Sequence, residues 1–434
     1  MSSKLSLFSP RSIAWYFYDF ANSLLIINGS LYFSQWIVVD NNRPDFWYGI
    51  SFVISTICLV LTAPYLGVYL DHRGTRKKFL FWLTVATASF GGLIEIVGHA
   101  LPSPLWAVVV SLICYAIMNL VYQLSLLVYN TYLRDIAPDG KLGFASGLGY
   151  GIGTVGSMVG LLITYPIISG QITFFGTDRI SMLLPIAVLF FLCSVPMLIA
   201  SRGLSRTKDD PSVNSAPIAG YREVYRGIWR DLRSARRYPG VLRFLLSFYF
   251  FSDAQLTIFL FAAIYLEKVL HAPDSFKVVA FLIVLGMSSI ASWIGGWLGD
   301  KIGYKPVFFW ALIMNALSIL GVALGTELWL YYILFTIFGL STGAGYASSR
   351  ALLAQLVPYE KKGQFFGLYS LFERFASIIG PATWGLVVFL VSPVGGFNYR
   401  MGAIAMGGLV IIAIVVVRNL KVATYQHLDS IREI

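Results

Sequence analysis

Apolar residues run along this chain in long blocks, cut at short intervals by polar turns. A helix needs roughly 20 apolar residues to cross the hydrocarbon core of a bilayer. Blocks of that kind lie at 13–38, 46–70, 78–99, 105–133, 143–169 and 181–201. Six more follow a polar stretch, at 242–268, 276–300, 306–326, 328–356, 363–392 and 397–418. The pattern predicts an all-α membrane protein with twelve transmembrane helices. It divides into a six-helix half over 1–201, a linker over 202–241 and a second six-helix half over 242–434. The linker opens with "SRGLSRTKDDPSVNSAP", a loop composition. It continues as "YREVYRGIWRDLRSARR", where Tyr221, Val224, Tyr225, Ile228, Leu232 and Ala235 recur at helical spacing with arginines on the other face. That is an amphipathic helix, suited either to strap the halves together or to lie on an anionic leaflet.

Composition agrees with the pattern. The chain of 434 residues is 57% hydrophobic and 12% charged, against about 25% charged in water-soluble domains. Its net charge of +11 is a matter of topology, not of nucleic acid. Of 32 basic residues, Arg43, Arg179, Lys268, Lys277 and Arg400 fall on one side of the predicted spans and Arg374 inside one. All the others fall on the opposite side, which the positive-inside rule makes cytoplasmic, together with both termini. The apolar run after Arg11 is too long for a cleavable signal peptide. Cys58, Cys114 and Cys193 lie in three separate apolar blocks with neither metal nor disulfide spacing. His72, His99, His271 and His427 are scattered singly and form no metal set. The glycine run Gly147, Gly149, Gly151, Gly153, Gly156 and Gly160 is a close-packing signal; no Lys-Ser/Thr follows it as in a nucleotide loop. With no nucleophile constellation either, the sequence predicts a non-enzyme without cofactor, acting as a monomer on a small-molecule substrate.

The halves repeat each other. "GVYLDHRGTRKK" after the second block aligns with "GWLGDKIGYKP" after the eighth, so that Gly67, Asp71 and Gly74 fall on Gly296, Asp300 and Gly303 at one constant offset. Pro138, Gly147 and Gly160 fall on Pro358, Gly367 and Gly380 at another. "WYFYDFANS" in the first block has an apparent counterpart in "FYFFSDAQ" of the seventh, pairing Asp19 with Asp253. Two parallel six-helix repeats joined by a cytoplasmic linker describe a rocker with its substrate site at the repeat interface.

Gly67-x-x-x-Asp71-x-x-Gly74-x-Arg76-Lys77 resembles the cytoplasmic loop motif of the major facilitator superfamily. More narrowly, "WYFYDFANS", "YNTYLRDIAP", "SGLGYGIGTVG", "SSRALLAQLVP" and "FFGLYSLFERFASIIGP" resemble the autophagy-related vacuolar effluxer family and its prokaryotic relatives. The similarity runs along nearly the whole chain in order. It implies a twelve-helix transporter, with amino-acid efflux in the eukaryotic branch, in a vacuolar-type membrane there and in the cell membrane of a prokaryote. His72, Thr75, Arg134, Thr154, Ala254 and Glu373 depart from the family pattern.

Membrane-embedded polar residues are the candidate chemistry. A carboxylate at a helix centre costs on the order of 3 kcal/mol on insertion scales. Asp19 lies roughly 12 Å along the helix from Arg11, and Asn22, Ser23, Ile26 and Ser30 share its face. It either meets a cation, a substrate ammonium or a proton, or bonds a neighbouring helix. Asp253, with Gln255 and Thr257 close in sequence, is a substrate or proton site. Glu373 and Arg374 point about 100° apart; Arg374 either holds a substrate carboxylate or pairs with a carboxylate of the protein. A site with one carboxylate and one guanidinium suits an amino-acid zwitterion. Asn119, Gln123, Tyr150 and Tyr346 are cavity candidates or packing residues. Gly67, Asp71, Gly74 and Arg76, with Gly296, Asp300 and Gly303, form a conformational latch at the cytoplasmic turns.

Overall fold

The computed structural model describes residues 7–73, 75–136, 142–172, 176, 178–201, 221–235, 238, 240–357, 361–391 and 394–420. The chain divides into two compact units, Met1–Val224 and Tyr225–Ile434.

In the first unit α1 starts at Pro10, a residue suited to the first helical position, with the Ser9 hydroxyl accepting the Ser12 N–H. It runs to Asn28 and then widens into π-helical turns at Gly29–Phe33 and Trp36–Asp40. The widening begins where the Asn28 amide donates to the Leu24 carbonyl at 2.8 Å, so a side chain competes for a backbone acceptor. The remaining helices are α2 (Asp45–Arg73), α3 (Arg76–Ala100), α4 (Pro104–Thr131), short α5 (Leu133–Ile136), α6 (Leu142–Ile168) and α7 (Leu183–Ala200).

The amphipathic linker helix α8 spans Tyr221–Ala235, with Ala235 buried, Tyr225 and Leu232 half-buried, and Arg222, Arg226, Arg230 and Arg233 exposed. The loop part of the linker lies outside the described residues. In the second unit follow α9 (Val241–Leu270), α10 (Asp274–Ile302), α11 (Tyr304–Leu324), α12 (Leu328–Leu356), α13 (Lys362–Phe375), α14 (Ile379–Leu390) and α15 (Phe397–Arg418).

Ten of these helices are individually long and apolar enough to cross a bilayer. The first apolar block is helical from Pro10 to Asp40, with breaks in its α-geometry. The eleventh, expected as one helix over 363–392, is two. Pro381 has no N–H to give and its ring crowds the Ser377 carbonyl, which weakens a helix there, although α2, α6 and α7 run on through Pro64, Pro166 and Pro196. The chain stops at Phe375 and restarts at Ile379.

Hydrocarbon offers no hydrogen bonds, so polar side chains inside the units bond one another. Tyr18 Oη meets Thr84 Oγ1 at 2.7 Å, Asn119 Nδ2 donates to Ser55 Oγ at 2.6 Å, and Asn315 Nδ2 to Ser341 Oγ at 2.8 Å. Glu95 accepts the Leu184 N–H at the start of α7 at 2.7 Å, a carboxylate on a helix N-terminus. At the other end of a helix, Arg400 donates to the carbonyls of Ala323 and Gly325, which close α11, at 2.7 Å each.

Helix contacts are built on small residues. Along α6, Gly149 faces Trp15, Gly153 faces Asp19 and Ser23, Gly156 faces the Phe20 backbone and Gly160 faces Leu24. In the second unit Gly343 lies against the Ser288 backbone and Gly339 against Val284. Such contacts let backbones approach where lipid supplies no hydrophobic drive. A β-carbon on Gly156 would collide with the Phe20 carbonyl, whereas one on Gly147 meets nothing within 4 Å. Gly156→Ala is therefore expected to destabilise by about 1–3 kcal/mol, the usual range for overpacking, seen as a lower thermal midpoint in detergent. Gly147→Ala should leave that midpoint unchanged.

Candidate functional site

Asp19 sits on α1 above an aromatic core. Trp15 stacks on Tyr129 at 4.4 Å between ring centroids, Tyr18 stacks on the same ring at 5.1 Å, and the Trp15 indole donates to the Tyr129 carbonyl at 3.1 Å. These contacts fix the rotation of α1 and direct Asp19 toward α6, where its carboxyl carbon comes within 3.2 Å of the place a β-carbon on Gly153 would occupy. The Ser23 hydroxyl is 3.0 Å from the same place. Asp19 is half-buried, and among the described residues it has neither a hydrogen bond nor an ion pair. Tyr129 lies within electrostatic range of it.

Two neighbours sharpen the picture. Asn22, three residues on, is 1% exposed, and neither its amide nitrogen nor its oxygen has a partner. The Tyr129 hydroxyl is likewise buried and unpartnered. Leaving such groups unmade costs about 1–3 kcal/mol each, and native proteins leave few of them. Asp19 and Asn22 stand out in the sequence as polar groups in an apolar block, whereas Tyr129 carries no signal there beyond its place in "YNTYLRD".

Asp253 on α9 is different. It is fully buried, its Oδ2 accepts the Gly380 N–H at 2.8 Å, and its Oδ1 is unpartnered. Thr257 donates to the Asp253 backbone carbonyl at 2.7 Å. Gln255 points elsewhere: its oxygen accepts from Thr342 on α12 at 2.8 Å, while its nitrogen has no partner. Asp253 and Gln255 thus do not converge on one spot.

Nor are Asp19 and Asp253 equivalent positions, as the sequence pairing expected. Gly160 faces Leu24 and Asn28, and its repeat counterpart Gly380 faces Asp253 and Thr257. The contact pairs match Leu24 with Asp253 and place Asp19 against Phe248, whose ring stacks on Tyr369 at 4.0 Å. Asp19 is five residues, or about 7 Å of helix, away from the level of Asp253. The local resemblance of the two stretches misled because both follow a Tyr/Phe-rich run.

Glu373 and Arg374 lie half-buried near the end of α13. Glu373 is within electrostatic range of Arg350 and Arg374, and Tyr369, bonded to Ser349 at 2.8 Å, is within range of Glu373, Arg350 and Tyr346. Arg350 was not among the expected residues. Tyr346 packs on Phe251 at 5.3 Å between ring centroids, Tyr150 is exposed and Gln123 half-buried. Asn119 is committed to Ser55.

Of the expected latch, the surroundings of Gly67, the side chain of Asp71 and the whole of Gly74 lie outside the described residues. Arg76 pairs with Asp135 at 3.4 Å. Asp300 is exposed and accepts the Tyr304 hydroxyl one turn on. Gly303 closes α10 at φ +92°, a conformation that favours glycine, and Gly296 has no neighbour within 4 Å of where a β-carbon would stand.

The sequence model of the family described as "Vacuole effluxer Atg22 like" matches residues 144–424. The chain is 23% identical over 433 residues to the uncharacterised MFS-type transporter YxiO of Bacillus subtilis, covering 94% of this chain and 95% of that one. It is 22% identical over 379 residues to autophagy-related protein 22 of Kluyveromyces lactis, covering 81% and 75%. A solved structure of a bacterial homologue of the human lysosomal transporter Spinster aligns with a TM-score of 0.69 at 12% identity, over 95% of this chain and 96% of that one. That likeness concerns the fold, which is the all-α major facilitator architecture.

The contrast between the two asparagines can be measured. Asn119→Leu removes a made hydrogen bond and is expected to cost about 1–3 kcal/mol, lowering the thermal midpoint in detergent. Asn22→Leu removes two unmade polar groups, so its midpoint should equal or exceed that of the parent protein.

Proposed function

The chain belongs to the Atg22-like vacuole effluxer family, and from that premise we propose that it is a secondary active transporter exporting amino acids by alternating access. Membrane transport of the major facilitator type is common ground with its relatives. The choice of amino acids rests on the family resemblance and on one observation, the Asp19 carboxylate held in a membrane helix with no ion pair among the described residues. A carboxylate so placed is costly unless something positive visits it. Asp19, the Ser23 hydroxyl and the unpartnered oxygens of Asn22 and Tyr129 offer acceptors only a few residues apart or within electrostatic range. A primary ammonium brings three donors and one positive charge, which is the complement of that set. The buried polar groups of Asn22 and Tyr129 that lack partners would gain them from such a ligand, which favours its binding. Asp253 takes no part in this reading, because one of its oxygens is already bonded to backbone.

Purified protein in proteoliposomes, screened with radiolabelled amino acids with and without an imposed proton gradient, tests the proposal. At least one amino acid should accumulate or exchange, and Asp19→Asn should reduce its rate by tenfold or more with folding intact. If no amino acid moves while another class of small solute does, the substrate assignment is wrong. If Asp19→Asn transports like the parent, the role given to Asp19 is wrong.

A further inference from the structure

Asp253 is bound to a feature the sequence did not announce, the break in the eleventh apolar block. The residues between α13 and α14 are Ala376, Ser377 and Ile378. On the α13 side the loose ends are closed locally: the Ala376 N–H donates to the Phe372 carbonyl at 2.9 Å, and the Ser377 hydroxyl to the Arg374 carbonyl at 2.7 Å. On the α14 side they are not. The first turn of a helix leaves N–H groups without partners, Pro381 removes one of them by having none, and Ala382 reaches back to Ile378 only at 3.4 Å. The Gly380 N–H is taken by Asp253 Oδ2 from another helix. Gly380 is what admits it, since a β-carbon there would stand 2.6 Å from Asp253 Oδ1 and collide with the Thr257 hydroxyl.

The other repeat supplies a control within the molecule. At the matched place Gly160 faces Leu24 and the next residue is Leu161, and α6 continues to Ile168 through Pro166, so a proline alone does not break a helix here. A carboxylate stands opposite the glycine only in the repeat whose helix is broken.

We propose that Asp253 is a positioning residue: it caps α14 from α9 and holds the eleventh segment bent at Ala376–Ile378, and this bend is the hinge about which α13, carrying Glu373 and Arg374, moves during transport. A buried helix start without an acceptor would be costly in hydrocarbon, so the cap fixes where the segment bends. Asp253 Oδ1 has no partner, which leaves it free to accept another N–H of the first turn as the hinge changes angle. The role needs an acceptor oxygen at Gly380 and does not need a negative charge. Asparagine can therefore replace the aspartate, and alanine cannot.

The test has two arms. In protein with Cys58, Cys114 and Cys193 replaced by serine, spin labels are placed at Ser370→Cys on α13 and Phe389→Cys on α14, both exposed positions. Pulsed-EPR distances between them should be narrowly distributed in the parent and in Asp253→Asn, and clearly broadened in Asp253→Ala and in Gly380→Ala, which displaces the carboxylate. The second arm, which alone rests on the amino-acid reading, measures counterflow of a radiolabelled amino-acid mixture in proteoliposomes. Asp253→Ala should lower kcat tenfold or more with KM changed less than threefold, and Asp253→Asn should restore kcat to within threefold of the parent. Equal loss in the Asn and Ala variants would overturn the proposal in favour of a charge or proton role. Unbroadened distances in both Asp253→Ala and Gly380→Ala would overturn it too, whether or not any amino acid is transported. Should Asp253→Ala fail to fold, the Asn variant and Gly380→Ala still decide.

Discussion

The constraint on which everything else depends is that hydrocarbon cannot hydrogen-bond the backbone. It forces the chain into helices, and it turns every interruption of a helix into a local problem with a local solution. The end of α11 is closed by Arg400 and the start of α7 by Glu95. The interruption between α13 and α14 is met by Asp253. Each solution uses a charged side chain that would be costly in lipid, placed where a helix terminus of complementary polarity receives it. Other charges pair with one another, as Lys277 does with Glu267 and Asp274 and Arg76 with Asp135, and among the described residues Asp19 has neither kind of partner.

The same constraint explains the glycines. With no water to expel between helices, association depends on close packing, and the line from Gly149 to Gly160 lets α1 pack closely on α6. Gly156 and Gly160 lie against backbone of α1, and Gly149 and Gly153 against its side chains. That closeness has a second consequence. Gly153 brings no side chain of its own to this contact, so the Asp19 carboxyl is supported by position instead of by bonds among the described residues. The stacking of Trp15 and Tyr18 on Tyr129 supplies the rigidity that bonds would otherwise provide. A site for a transported molecule needs this combination of a fixed scaffold and unsatisfied polar groups.

The two repeats have diverged along these lines. One keeps an unbroken α6 and places its carboxylate at Gly153; the other breaks the corresponding helix between Phe375 and Ile379 and sets its carboxylate on the restart. Sequence symmetry suggested two similar acidic sites, and contact geometry leaves Asp19 without a bond among the described residues while Asp253 accepts the Gly380 N–H. The difference comes from five residues of register and the partner each carboxylate meets, which pattern matching treats as minor.

The amino-acid sequence by itself determined that the chain crosses a membrane many times, that it is a tandem repeat, and where the apolar segments and the amphipathic helix lie. Those features follow from periodicity and composition, which act residue by residue along one segment. It also marked Asp19, Asn22, Asp253, Glu373 and Arg374 as out of place in lipid, because the cost of a polar group in a membrane is local. What only the tertiary structure decided is which of them are already satisfied. Asp253 is bonded to Gly380, which is 127 positions away in the chain, Asn119 to Ser55, and Asp19 and Asn22 to nothing among the described residues. A hydrogen-bond partner from another helix depends on the rotation and register of two segments at once, and neither is written in the hydropathy of either one.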